Sequence, residues 1–227
     1  MVDASECVIR LGRSPGQGYD RDVGRKTTFR VMHGDTLVEL VKGPQREKRL
    51  SNGPIASGHI VVFGTAKKAT PPSLRTRLES SGGPRLLSLR RSAEQAAAKS
   101  LALHASTIGY QLSGAEPSTL WHAIKLTETI GCQYLNVFGV PEPKICKQQP
   151  NEPSRSRFWE YASPPQCTDG VDVGHNEDLL RPDHSHLTVV DRRALAGWLQ
   201  SAQKLHIRFL SPTWSVSERA SASSAAT

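Results

Sequence analysis

The chain has 227 residues, 37% of them hydrophobic, which suffices for one sizeable core. No run of about 18 apolar residues occurs, so no membrane-spanning helix is expected, and the four cysteines are too widely spaced for a zinc knuckle or a dense disulfide framework. The net charge of +8 comes from the first half: residues 1–100 carry 18 Lys+Arg against 9 Asp+Glu, whereas 101–227 carry 11 against 12.

The opening MVDASECVIRLGRSPGQ places acids, arginine and proline where a signal peptide needs an apolar stretch. Residues 1–25 are therefore expected to be a flexible basic N-terminus of a soluble cytoplasmic protein whose cysteines are ordinary thiols. TTFRVM (27–32) and TLVELV (36–41) flank the turn-forming HGD and predict an antiparallel hairpin. GHIVVFG (58–64) predicts a buried strand, and the Pro, Ser and Gly of 69–84 an exposed connection.

From residue 85 the pattern alternates. Strong helix formers fill 86–100, and SLALHAST (100–107) reads as a short strand. Residues 118–131 form a helix with Leu120, Ala123, Ile124 and Thr127 on one face, followed by the strand YLNVFGV (134–140). TDGVDVG gives another strand. Thr188 with Asp191 is a capping box for a helix whose face holds Leu195, Trp198, Leu199 and Ala202, and LHIRFLS (205–211) is the last strand. Helices feeding strands argue for α/β architecture with parallel βα units. The expected organisation is one α/β domain over 26–212 and a disordered tail over 213–227, which lacks large apolar residues except Trp214 and Val216.

In parallel α/β folds functional side chains gather at the carboxyl ends of strands. His104, Asp172 and His175 stand at such ends in this reading, His206 lies within KLHIRFLS, and a carboxylate with imidazoles suits Zn, Mn or Mg. The stretches LALHAS, TLWHAIKLTETIGCQYLNVFG, VDVGH and KLHIRF together resemble the xylose-isomerase-like superfamily of TIM barrels, which holds sugar-phosphate isomerases and epimerases, related dehydratases and endonuclease IV. The resemblance covers roughly residues 86–211. It implies a divergent or incomplete TIM-type barrel and a metal-dependent sugar or sugar-phosphate isomerase or epimerase, or a related lyase, acting on a polyol or sugar. It further implies that Asp172, His175 and His206 ligate a divalent metal ion, with His104 lining the substrate pocket. Phe209 stands where the later ligand phrase of that family has an acid, so the implied activity is impaired.

Two other readings have their own residues. The basic stretches 43–50, 65–77 and 86–92 could neutralise phosphates, as in a nucleic-acid-binding accessory protein without catalysis. His186-Leu-Thr188, paired with His104-Ala-Ser106, resembles the two H-x-[ST] elements of a 2H phosphoesterase. No dinucleotide fingerprint or P-loop is present, so no nucleotide cofactor is expected.

Overall fold

The computed structural model describes residues 2–41, 56–64, 75–76, 83–112, 116–151, 165–172, 188–199 and 205–210. The chain divides into two compact units, residues 1–95 and 96–227.

The first unit is built on four parallel strands in sequence order: β1 (Ile9–Leu11), β2 (Phe29–His33), β3 (His59–Phe63) and β4 (Arg85–Ser88). The central residues of β2 and β3 are buried as continuous runs and not on alternate positions, as in strands covered on both faces. Met32, Ile60, Val62 and Leu86 pack with Leu37 and Val41. The expected flexible segment 1–25 carries β1, which pairs with β2, and a short helix α1 (Asp20–Val23).

The expected hairpin is not formed. TLVELV lies in helix α2 (Gly34–Leu40) and its C-cap Val41, because Leu37, Leu40 and Val41 stand at i, i+3 and i+4 and bury one helical stripe. The His33 ring caps this helix, its Nδ1 accepting the Asp35 N–H at 3.2 Å. SLALHAST is likewise not a strand but the end of helix α3 (Arg91–Ser106), on which Ala97, Leu101 and Ala105 share a buried face at four-residue spacing.

In the second unit, helices α3, α4 (Thr119–Thr129) and α6 (Thr188–Leu199) enclose a core with the parallel pair β5 (Tyr134–Phe138) and β8 (His206–Leu210). Trp121 and Trp198 lie with ring centroids 6.1 Å apart at its centre. Ser118 caps α4: its Oγ accepts the Trp121 N–H at 3.1 Å and donates to Asp191 at 2.5 Å. Asp191 also accepts the Ser118 N–H at 3.1 Å, so its carboxylate serves the start of α4.

Between these lie α5 (Ile145–Gln148) and a hairpin of two-residue strands, β6 (Cys167–Thr168) and β7 (Val171–Asp172). Asp169 and Gly170 both have positive φ, 51° and 78°, the backbone of a two-residue hairpin turn that Asp-Gly adopts readily. TDGVDV is thus antiparallel, not a strand of a parallel sheet. Cys146 and Cys167 form a disulfide that ties α5 to β6, whereas Cys7 and Cys132 are thiols. Among the described residues the sheets have four, two and two strands, and no barrel closes.

Candidate functional site

The carboxyl ends of β1 to β4 bring together Gly12–Ser14, His33–Asp35, Gly64 and the start of α3. In open α/β sheets this is the end where ligands bind. Two arginines in neighbouring register, Arg10 on β1 and Arg30 on β2, organise the connection from β1 to β2.

Arg30 is fully buried. Its Nη1 donates to the carbonyls of Gly12 at 2.9 Å and Ser14 at 2.7 Å, fixing the turn that leaves β1. Ser14 completes it through bonds from its N–H and its Oγ to the Leu11 carbonyl. Nε and Nη2 of Arg30 are buried with no hydrogen-bond partner among the described residues. Burial, and then the neighbouring charge of Arg10, pull its pKa down to about 10.

Arg10 reaches along the rest of the connection. Nη2 donates to the carbonyls of Val23, Gly24 and Lys26 at 2.9, 2.7 and 3.2 Å, and Nε to Thr27 Oγ1 at 2.8 Å. Asp3 fastens the same stretch by accepting the N–H groups of Arg25 and Lys26, bonds that hold its carboxyl below the usual carboxylate range. The two guanidiniums thus satisfy backbone carbonyls of the connection from β1 to β2.

At the next strand ends, His33 Nδ1 lies 3.2 Å from both the amide nitrogen and the carboxylate of Asp35. Gly64, at φ +84°, donates its N–H to Glu94 at 3.0 Å, and a side chain there would collide with the His33 imidazole. Glycine is needed for both reasons.

The residues expected to ligate a metal do not form one site in the described structure. The Asp172 carboxylate is engaged by the buried Arg192, Nη2 to Oδ1 at 2.7 Å. His206 opens β8 at its amino end and stacks on Tyr134 with ring centroids 5.2 Å apart. His104 is on α3, 6.4 Å from the Trp121 ring, and lines no strand end. His175 lies outside the described residues. Among those described, no three His, Cys, Asp or Glu side chains gather to hold an ion.

The phosphoesterase pairing loses its geometry too. His104 and Ser106 are helical, Ser106 Oγ donating to the Leu103 carbonyl, and His186 lies outside the described residues. The basic stretches 43–50 and 65–74 also lie outside them.

Arg10 and Arg30 escape a sequence reading that counts basic residues as surface charge. Their signal is an arginine inside each of two apolar strands, VIRL and FRVM, on either side of a glycine-containing connection. A charge in that place needs internal partners.

Burial, and then the charge of Lys125, hold the half-buried His104 imidazole below its ordinary range. The neutral ring is favoured in the folded state, so its contribution is complete above the unfolded value of about 6.5 and is lost as pH falls through the lower folded pKa. His104→Gln is expected to flatten the decline of folding stability below pH about 6.5. Urea titrations at stepped pH measure that slope, and an unchanged slope would remove His104 as its source.

A family model described as glycosyltransferase family 29 (sialyltransferase) matches residues 1–60, which include β1, β2, the start of β3 and the connection fastened by Arg10 and Arg30. Alpha-N-acetylgalactosaminide alpha-2,6-sialyltransferase 6 of Mus musculus is 24% identical over 219 residues, covering 94% of this chain and 62% of the relative. Alpha-N-acetylgalactosaminide alpha-2,6-sialyltransferase 3 of Homo sapiens is 22% identical over 227 residues, covering 95% and 68%. A shorter stretch is 43% identical over 37 residues to beta-galactoside alpha-2,6-sialyltransferase 2 of Takifugu rubripes, 16% of this chain and 7% of that protein. The chain spans 62% of the length of the first of these relatives. No solved structure matches.

These similarities overturn the isomerase, epimerase or lyase expectation and the xylose-isomerase-like resemblance behind it. That resemblance rested on short histidine and glycine phrases, and the structure distributes them over a helix, a hairpin and a strand start. The nucleic-acid and phosphoesterase alternatives are not supported either. The cytoplasmic expectation falls with them, since the relatives are sialyltransferases and a Cys146–Cys167 disulfide suits an oxidising compartment.

Proposed function

We propose that the chain is the α/β portion of a sialyltransferase-type glycosyltransferase with a GT-A-like fold, working in an oxidising lumen. The single observation that carries this reading is that the family match over 1–60 takes in the carboxyl ends of β1 and β2 and the connection between these strands. The similarity to two N-acetylgalactosaminide sialyltransferases over nearly the whole chain supports it and suggests the acceptor class.

The reaction joins an acceptor hydroxyl to the anomeric carbon of a sialyl group while the bond from that carbon to the donor's phosphate breaks. The acceptor proton must pass to a base, and the departing phosphate gains negative charge. Arg30 fixes Gly12 and Ser14, and Arg10 fixes residues 23–27, so the polar backbone beside the donor is set before binding and needs no reorganisation during transfer. Both arginines are positioning residues.

The secreted protein, incubated with CMP-activated sialic acid and an aryl α-N-acetylgalactosaminide, is expected to yield a product heavier by one sialyl residue and sensitive to sialidase. Mass spectrometry reads both properties. A folded protein that neither binds the donor nor forms this product would remove the reading.

A further inference from the structure

We propose that the Cys146–Cys167 disulfide and the Asp172–Arg192 ion pair form one redox-sensitive latch: the ion pair closes the β6–β7 hairpin over the disulfide, and the disulfide keeps Asp172 within reach of Arg192. Cys167 and Asp172 are cross-strand partners and share one rung of this hairpin. Cys167 fastens the rung to α5 through Cys146, and Asp172 fastens it to α6 through Arg192, Nη2 to Oδ1 at 2.7 Å. Strands of two residues are too short to stand without such tethers. At the turn, the N–H groups of Asp169 and Gly170 donate to Asn151 Oδ1 at 3.2 Å and to the Pro150 carbonyl at 2.9 Å, which holds the tip and not the rung.

The two tethers depend on each other. Cys146 and Cys167 are 5% and 2% exposed and pack with Ile145. A thiolate must meet a disulfide sulfur directly, so a dithiol reaches this bridge only when the hairpin swings open. Opening parts Asp172 from Arg192 and deprives a buried guanidinium of a charge-assisted bond, which keeps the open form rare. In the other direction, cutting the bridge frees the rung from α5, and the carboxylate of Asp172 is no longer held against Arg192. The coupling is reciprocal because both contacts stabilise the same closed form.

Reduction of the bridge consumes two electrons and two protons. One thiolate of a dithiol attacks a bridge sulfur to form a mixed disulfide, and its second thiolate displaces that sulfur. The dithiol leaves as a cyclic disulfide, and its two hydrogens end on Cys146 and Cys167. Arg192 directly follows Asp191, whose carboxylate holds Ser118 at the start of α4, so a latch released at Arg192 acts on the turn of α6 that also holds α4. The latch stands on the fold alone and requires no particular substrate.

In the test, the Cys7 and Cys132 thiols of the full chain are blocked with N-ethylmaleimide, dithiothreitol is added, and the thiols freed with time are alkylated and counted by mass spectrometry. Asp172→Asn is expected to speed reduction about tenfold, whereas Arg10→Ala, which weakens the first unit, leaves the rate unchanged. Equal acceleration by both variants would mean that the bridge is reached through general unfolding and would overturn the latch, as would a rate that Asp172→Asn leaves unchanged. Arg192→Lys keeps a charge beside Asp172 but replaces the planar fork by a single ammonium, and it serves if Asp172→Asn does not fold. It should speed reduction about threefold, and an unchanged rate there would overturn the latch equally. The reverse arm compares urea midpoints with and without Cys146→Ser/Cys167→Ser. The shift caused by Asp172→Asn should fall by about half once the bridge is gone; an undiminished shift would show two independent tethers and overturn the proposal.

Discussion

Arg10→Ala is expected to lower the unfolding free energy by about 3 kcal/mol, on the basis of several charge-assisted bonds worth about 1.5–3 kcal/mol each and not fully additive. The side chain is buried and donates to three backbone carbonyls and one hydroxyl, so truncation leaves the carbonyls of Val23, Gly24 and Lys26 without their shared donor. A loss of that size is a large part of the stability of an ordinary domain. Urea denaturation measures it, and amide exchange should quicken over residues 23–27. Arg30→Met differs in kind. It removes a buried cation whose desolvation opposes its two hydrogen bonds, so stability changes little while the turn at Gly12–Ser14 loosens. In the transfer assay it should therefore weaken donor use more than it weakens the fold. Equal and small effects of both variants would show that the connection holds without its arginines.

Asp172→Asn is expected to cost about 3–5 kcal/mol, the usual consequence of leaving a buried charge without its partner. Arg192 is buried, its Nη2 meets Asp172 Oδ1 at 2.7 Å, and its Nη1 reaches the Pro141 carbonyl at 3.4 Å. The double variant Asp172→Leu/Arg192→Leu should recover most of the loss, because neither charge is then stranded. A metal ligand behaves otherwise: its loss would lower bound metal with a modest effect on the metal-free protein. Denaturation of the two variants beside their metal content separates these outcomes.

The parts of the fold that sequence reading caught are those in which propensity and burial agree. HIVVF, YLNVF and HIRFL combine β-branched and aromatic residues between turn formers, and all three are strands. The helix begun by Ser118 shows both its cap and its apolar spacing. Misreadings arose where a short apolar run satisfied two periods at once. TLVELV offers leucines and valines to a strand, yet Leu37, Leu40 and Val41 are a helical stripe once His33 caps the turn. SLALH alternates over five residues but extends the spacing set by Ala97, Leu101 and Ala105. The Asp-Gly turn was the missed local signal in TDGVDV.

The site was less legible because its decisive contacts join residues distant in sequence. A list of candidate ligands treats Asp172 as a free carboxylate; only the packing of α6 brings Arg192 to it. Arg10 and Arg30 raise the basic count of the first half in the same way as surface lysines do. Their role depends on which carbonyls the connection turns inward, and composition carries no such information.

The Cys146–Cys167 bridge, with a sequence separation of 21, bears on how the protein is made. Closing a loop of that length restricts the denatured chain by about 3 kcal/mol in the chain-entropy account, comparable to the cost of losing Arg10. A bacterial cytosol supplies the same polypeptide without that restraint, whereas a periplasmic or eukaryotic secretory host supplies it cross-linked. Material from the two hosts would share every residue and differ in the covalent framework of the hairpin that carries Asp172.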